Sequence, residues 1–268
     1  MVGIRAHMKG RQEASVARAL FLDLLKRSLV GRLIADPAVA MWDQRGHFVV
    51  PPTFDWQRRK YGRDWPSQAL TMVGQRRLDN LQQCIERVLD AGVQGDLVET
   101  GVWRGGGTIL MRAVLKAYAI RNRTVWVVDS FRGVPAPDPK TYPHDRGMDF
   151  HQVPLLSVSL KEVRANFARY GLLDRQVRFL KGSFKDTLPR APIRRIAVLR
   201  LDGDLYESTI HALNHLYRRL SVGGFLIVDD YALACCRHAV SDYRAAHRIT
   251  ERICRIDGMG VYWQKVQD

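Results

Sequence analysis

The stretch Val98-Glu-Thr-Gly-Val-Trp-Arg-Gly-Gly-Gly-Thr108 constrains the fold of this 268-residue chain more than any other. It follows the polar break Gln94-Gly95-Asp96 and runs into a helix-like segment at 109–119. An apolar strand ending in a Gly-rich turn at a helix start is a nucleotide-binding arrangement. Glycine lets the backbone approach a ligand closely, and the helix start offers unpaired N–H groups. The pattern is E-x-G-x-x-x-G-G-G, which differs from the G-x-G-x-x-G of dinucleotide enzymes. An acid at the strand end suits a cofactor with a cationic end, such as the ammonium and sulfonium of S-adenosylmethionine. The competing use of such glycines is a tight connection between elements, so the rest of the chain must decide.

Downstream, the hydrophobic pattern alternates. Strands are predicted at 96–99, 124–128, 177–180, 196–201 and 225–228, with final strands at 253–257 and 260–265. Helices are predicted at 108–119, 160–170, 208–219 and 237–247, and a long Pro-containing loop at 133–154. Such alternation predicts an α/β fold, a mostly parallel, doubly wound sheet whose ligands sit beyond the carboxyl ends of the strands. Upstream, residues 15–33 carry an amphipathic helical pattern through Leu20, Phe21, Leu24, Leu25 and Leu29. Residues 36–66, interrupted by Pro37, Pro51-Pro52 and Pro66, read as an irregular arm or lid. Residues 76–89 resume helical spacing. The expected organisation is an N-terminal helical and lid segment, 1–95, before a catalytic domain, 96–268.

Five acids, Glu99, Asp129, Asp202, Asp229 and Asp230, terminate predicted strands and so fall on the ligand-binding edge. Asp129 ends the strand after the Gly-rich turn, where a carboxylate accepts hydrogen bonds from both ribose hydroxyls; capping a helix is its other possible use. Asp202, Asp229 and Asp230 form a second group. Carboxylates converging at neighbouring strand ends repel one another unless a cation or a shared proton neutralises them. Oxygen-only ligands favour a hard ion such as Mg²⁺, which lowers the pKa of a coordinated hydroxyl and orients it. Asp204 is expected only to cap the following helix. His211 and His215 share a helix face and read as a solvated pair. His151, in the long loop, is a candidate substrate contact.

The composition, 46% hydrophobic and 26% charged, is that of a soluble globular protein, and no apolar run approaches the roughly 20 residues that span a bilayer. Neither a membrane partner nor a signal segment is expected. The four cysteines lack metal-ligand spacing, and adjacent Cys235-Cys236 is a poor disulfide pair. Reduced thiols in a cytoplasmic protein are the simplest reading. The formal charge of +15 invites a nucleic-acid reading. Its densest patch, Arg58-Arg59-Lys60 with Arg63 among Trp56, Tyr61 and Trp65, is of a kind that contacts phosphates or bases. No nucleic-acid module accompanies it, so no nucleic-acid partner is expected.

Five segments together resemble one family: Asp96-Leu-Val-Glu-Thr-Gly-Val-Trp-Arg-Gly-Gly, Val125-Trp-Val-Val-Asp-Ser-Phe-Arg-Gly, Arg169-Tyr-Gly-Leu-Leu-Asp, Leu199-Arg-Leu-Asp-Gly-Asp-Leu-Tyr, and Gly223-Gly-Phe-Leu-Ile-Val-Asp-Asp-Tyr. Their order and spacing resemble the macrocin O-methyltransferases, and the likeness covers about nine tenths of the chain. The resemblance implies a Rossmann-like, class I methyltransferase core that uses S-adenosylmethionine and Mg²⁺. The implied acceptor is a hydroxyl on a deoxysugar of a glycosylated natural product, within a homo-oligomer whose N-terminal elements help close the site. A phenolic or catechol acceptor is the alternative. The implied cofactor contacts are Thr71, Met72, Glu99, Thr100, Gly101, Trp103, Gly105, Thr108, Asp129, Ser130, Ser183 and Asp202. Asp202, Asp229 and Asp230 would hold the metal, with Asp202 also the candidate base. His151, Gln152 and Tyr231 are the candidate acceptor contacts. The sequence departs from the family pattern at Ser183, where tryptophan is expected, at Cys235, and in the arm and the long loop.

Overall fold

The apolar runs become strands buried on both faces, as parallel sheets require. The clearest is Ile196–Leu201, whose six residues are all buried. The structure, a computed structural model, describes residues 2–42, 48–50 and 53–267. In chain order it contains α1 (Val2–Leu29), β1 (Ala38–Trp42), β2 (Phe48–Val49), α2 (Trp56–Lys60), β3 (Asp64–Pro66), α3 (Gly74–Asp90), β4 (Asp96–Thr100), α4 (Gly106–Ala117) and β5 (Val125–Asp129). There follow α5 (Leu160–Arg169), β6 (Val177–Lys181), α6 (Phe184–Thr187), β7 (Ile196–Leu201), α7 (Tyr206–Leu216), β8 (Leu220–Val228), α8 (Ala234–Ala246), β9 (Cys254–Arg255) and β10 (Val261–Gln264).

The main sheet has seven strands in the order β6-β5-β4-β7-β8-β10-β9. The first five are parallel, and β10 and β9 close the edge antiparallel. From β4 the chain winds outward to β5 and β6, then returns to β7 and β8 on the other side. The order therefore reverses between β4 and β7, which opens a crevice there. Helices α1, α3, α4 and α5 cover one face through Leu22, Leu78, Ile109 and Phe167, with Leu97 and Val125 from the strands. Helices α7 and α8 cover the other through Leu213 and Val240, against Leu199, Leu201 and Trp263. Because α1 and α3 share a core with β4 and α4, position 96 marks the first strand of the main sheet rather than a break between cores.

Register carries the strand-end acids to one row. Thr100 pairs with Val128 and with Leu201, and Leu201 pairs with Val228. The next residue along each strand is Gly101, Asp129, Asp202 or Asp229, so all four emerge side by side at the carboxyl edge.

The arm at 36–66 departs from its expected irregularity. It folds into a three-stranded antiparallel sheet, β2-β1-β3, and the short helix α2; its positions 43–47 and Pro51-Pro52 lie outside the described residues. Of the prolines that broke the periodicity, Pro37 precedes β1 and Pro66 ends β3, where a missing N–H costs little. What organises the arm is Arg59, fully buried, whose Nε donates to Asp64 Oδ1 at 2.7 Å. Its Nη1 and Nη2 donate to the carbonyls of Val30 and Asp36 at 2.8 and 2.9 Å. The amphipathic pattern at 15–33 is part of the longer helix α1, which stops just before Gly31, where φ is +71°. Among the described residues no helix is long and apolar enough to cross a membrane.

Candidate active site

The crevice between β4 and β7 is a cavity of about 340 Å³, within the range of small-molecule sites. One wall carries Gly101, Val102, Trp103, Asp129 and Ser130, and the opposite wall carries Asp202, Gly203, Asp204, Asp229 and Asp230. Gly62 and Trp65 from the arm, Met72 just after it, and Ser183 and Phe184 complete the lining.

The Gly-rich turn divides its work. At Gly101, φ is +82° and a Cβ would overlap the carbonyl oxygen of Asp202, so only glycine lets the ends of β4 and β7 meet. We expect Gly101→Ala to cost about 1–3 kcal/mol by forcing these strands apart. Denaturant unfolding would measure that cost, and a titration with S-adenosylhomocysteine should show weakened binding. Gly105, Gly106 and Gly107 serve packing instead. A Cβ at each would meet Val163, the Leu70–Thr71 segment or the Glu99 carboxylate, respectively. The Gly106 N–H donates to Leu70 O at 2.9 Å, so part of the α4 start is satisfied within the protein.

The cofactor residues implied by the family pattern therefore separate. Met72, Gly101, Trp103, Asp129, Ser130, Ser183 and Asp202 line the cavity. Thr71, Thr100, Gly105 and Thr108 do not line it; Thr71, Thr100 and Thr108 are buried behind the turn. Glu99, 1% exposed, does not line it either. Its carboxylate meets the guanidinium of Arg200, which takes the cationic role reserved for a ligand. Burial is the main cause of a Glu99 pKa raised to about 8, against the opposing pull of Arg200. Asp129 is held by the N–H groups of Val102 at 2.8 Å and Phe131 at 2.7 Å. Asp129 lines the cavity, and its Oδ2, which accepts from Val102 at 2.8 Å, can also accept from a hydroxyl there. Trp103, at φ +48°, donates its indole N–H to Leu155 O at 2.8 Å and so ties the long loop to the turn.

Asp202, Asp229 and Asp230 converge, with one carboxylate oxygen from each lying within 4.8 Å of the others. Two arginines reach the same group. Arg200 donates through Nη1 to Asp202 Oδ2 at 2.8 Å and through Nη2 to Asp229 Oδ1, and Arg77 meets Asp229 Oδ2. Part of the neutralisation expected from a metal is thus supplied by the chain. Five acids, Glu99, Asp202, Asp229, Asp230 and Asp257, share these two guanidiniums, Asp257 through Arg77 Nε at 3.3 Å, and a divalent cation would offset the excess of carboxylates. Burial and neighbouring carboxylates push Asp202 and Asp230 above the usual carboxylate range.

Asp204 does not cap α7, contrary to expectation. Asp145, fully buried in the long loop, accepts from the N–H groups of Tyr206 at 2.6 Å and Glu207 at 3.0 Å and fills that role. Asp204 is at φ +60°, and its N–H donates to Asp230 Oδ2 at 3.1 Å. Its carboxylate is left on the cavity wall, with a pKa raised to about 7 by burial first and then by Asp202, Asp229 and Asp129. His151 and Gln152 are exposed and outside the cavity, to which the same loop contributes Phe150 instead. Tyr231 packs beside the second core. His211 lines the cavity and bonds Tyr142 at 3.1 Å through Nε2, so it is not merely a solvated partner of His215.

With this geometry in view, comparison with known proteins is decisive. Residues 18–265 match the family model described as Macrocin-O-methyltransferase (TylF). The chain belongs to the macrocin O-methyltransferase family. It is similar to the 8-demethyl-8-(2,3-dimethoxy-alpha-L-rhamnosyl)-tetracenomycin-C 4'-O-methyltransferase of Streptomyces olivaceus, at 55% identity over 92% of this chain and 93% of that protein. Mycinamicin III 3''-O-methyltransferase of Micromonospora griseorubida is 49% identical over 92% of this chain and 96% of its own length. Among solved structures, the O-methyltransferase NovP superposes with a TM-score of 0.86 at 50% identity, covering 93% of this chain and all of that one. The chain is therefore a methyltransferase with the class I fold, related to O-methyltransferases of antibiotic pathways.

Proposed function

We propose that this chain is a Mg²⁺-dependent O-methyltransferase that moves the methyl of S-adenosylmethionine to a sugar hydroxyl of a glycosylated natural product. The observation that carries the reading is the meeting of Asp202, Asp229 and Asp230 in the same cavity as Gly101 and Asp129. One wall fits a nucleoside and the other fits a divalent cation. The name of the Streptomyces olivaceus relative, a 4'-O-methyltransferase of a rhamnosyl-bearing tetracenomycin, supports the acceptor class.

Asp129 would hold the ribose hydroxyls, and Asp202, Asp229 and Asp230 the metal. When bound, Mg²⁺ would polarise an acceptor hydroxyl, and S-adenosylmethionine would supply the methyl. The chain's own part is to position and deprotonate. Asp204, with its carboxylate in the cavity and a pKa near neutrality, joins Asp202 as the base that takes the hydroxyl proton. Trp65, Met72 and Trp103 keep water from the reacting groups. The reading includes a homo-oligomer, supported by the exposed stripe Val16, Leu20 and Leu24 on α1, and a cytoplasmic location, supported by four free thiols.

Calorimetric titration of S-adenosylmethionine and S-adenosylhomocysteine, with Mg²⁺ and with chelator, tests the cofactor half. Micromolar binding of both is expected, and no binding under either condition would overturn the reading. Activity on rhamnosylated aglycones, lost with chelator and restored by Mg²⁺, is expected for the other half.

A further inference from the structure

The cationic patch at 58–63 has no place in the methyl-transfer chemistry, and the structure takes it apart. Arg59 turns inward to organise the arm, and Arg58 pairs with Asp55 at 3.5 Å. Lys60 and Arg63 remain outside and are joined by Arg76 from the first turn of α3. Their charged groups lie 5.9, 5.6 and 5.4 Å from the centre of the Tyr61 ring. Arg76 Nη2 also donates to the Tyr61 hydroxyl at 3.3 Å. Among the described residues none of the three pairs with a carboxylate. Gathering three like charges opposes folding, and the ring face offsets only part of that cost. The cluster therefore calls for a binding explanation.

Its position supplies one. Tyr61 precedes Gly62, which lines the cavity, and the Arg63 guanidinium lies against Gly258, next to cavity-lining Met259. The cations thus stand at the mouth on the arm side, while the carboxylates crowd the wall within. An acceptor entering this field is sorted by charge, with its neutral, hydroxyl-bearing part at the acids and any anionic part held at the rim.

We propose that Lys60, Arg63 and Arg76 form an anion subsite at the cavity mouth, which takes a negatively charged group carried by the acceptor beyond its methylated sugar. This rests on the sugar-acceptor reading above and narrows it to anionic acceptors. Two sources share the chemistry: an ionised aglycone, or the diphosphate of a nucleotide-linked sugar.

The test titrates inorganic pyrophosphate, in chelator, into the wild-type protein and into the variant Lys60→Gln/Arg63→Gln/Arg76→Gln. Wild-type binding about tenfold or more tighter than the variant is expected, with melting temperature and S-adenosylhomocysteine affinity preserved in the variant. Equal affinities, or no binding to wild type, would overturn the proposal. A second arm compares 4-carboxyphenyl rhamnoside with its neutral 4-carbamoyl counterpart, and thymidine diphosphate rhamnose with an alkyl rhamnoside. Whichever anionic probe is preferred by wild type, and not by the variant, names the source. Equal affinity for charged and neutral probes throughout again overturns the subsite. Failure of S-adenosylhomocysteine to bind while the pyrophosphate difference persists would remove the methyl-transfer reading and leave the subsite standing.

Discussion

Asp202→Asn should lower methyl transfer by about a thousandfold or more while leaving the protein folded. Asp202 stands where the two walls of the cavity meet. Its backbone carbonyl packs against Gly101, its Oδ2 accepts from Arg200, and its carboxylate faces Asp229 and Asp230. Asparagine keeps the shape and an acceptor for Arg200, so the local hydrogen bonds can re-form. It removes one of the three charges that would hold a divalent ion, and it leaves Asp204 as the sole base. Two measurements separate these effects. A Mg²⁺ titration followed by calorimetry should weaken well beyond the 10–100-fold typical of a lost outer partner. Thermal melting in chelator should stay near wild type, because neutralising one of several crowded acids offsets the lost pair with Arg200. Wild-type turnover in Asp202→Asn would remove this residue from the chemistry.

The strand-end acids were legible from sequence because a parallel sheet brings its carboxyl ends to one edge, and a hydrophobic run followed by an acid marks each end. Register then needed only Thr100, Val128, Leu201 and Val228 to be level. The inner partners were less visible. Arg200 sits in a run that reads Val-Leu-Arg-Leu-Asp, and its cation looked like one of many in an Arg-rich chain. Yet a single charge inside a doubly buried strand needs a partner, and strand periodicity puts residues 200 and 202 on one face. That signal was available. Arg77 gave none, since it meets Asp229 across 152 positions of sequence. The cap of α7 went to Asp145 rather than to Asp204 for the same reason: the contact spans 61 positions and no local pattern announces it. The arm escaped because β1, β2 and β3 are at most five residues long and are held by Arg59 bonds to Val30 and Asp36, which periodicity cannot show.

The largest stability effect should come from Arg200→Met. Arg200 is 2% exposed and is the shared partner of Glu99, Asp202 and Asp229. Methionine fits an apolar strand, so packing is not the issue. What is lost is the compensating charge, and removing one partner of a buried ion pair costs about 3–5 kcal/mol. For a chain of this size that is roughly a 10 °C fall in melting temperature. The sign of the pH dependence follows from Glu99. Its folded pKa is already raised to about 8, and without Arg200 the opposing pull disappears and it rises further. A carboxyl with a raised folded pKa favours the folded state fully below its unfolded pKa, near 4, and loses that contribution as pH climbs through the folded value. The Glu99 part of the deficit of Arg200→Met against wild type should therefore be small up to about pH 7, where Glu99 holds its proton in both proteins, and grow as pH rises through 8, where it ionises only in wild type. Adding Glu99→Gln removes this acid from the titration and should recover part of the loss at about pH 9 while changing little at about pH 5. A deficit independent of pH, unrelieved by Glu99→Gln, would show that Arg200 acts through packing alone.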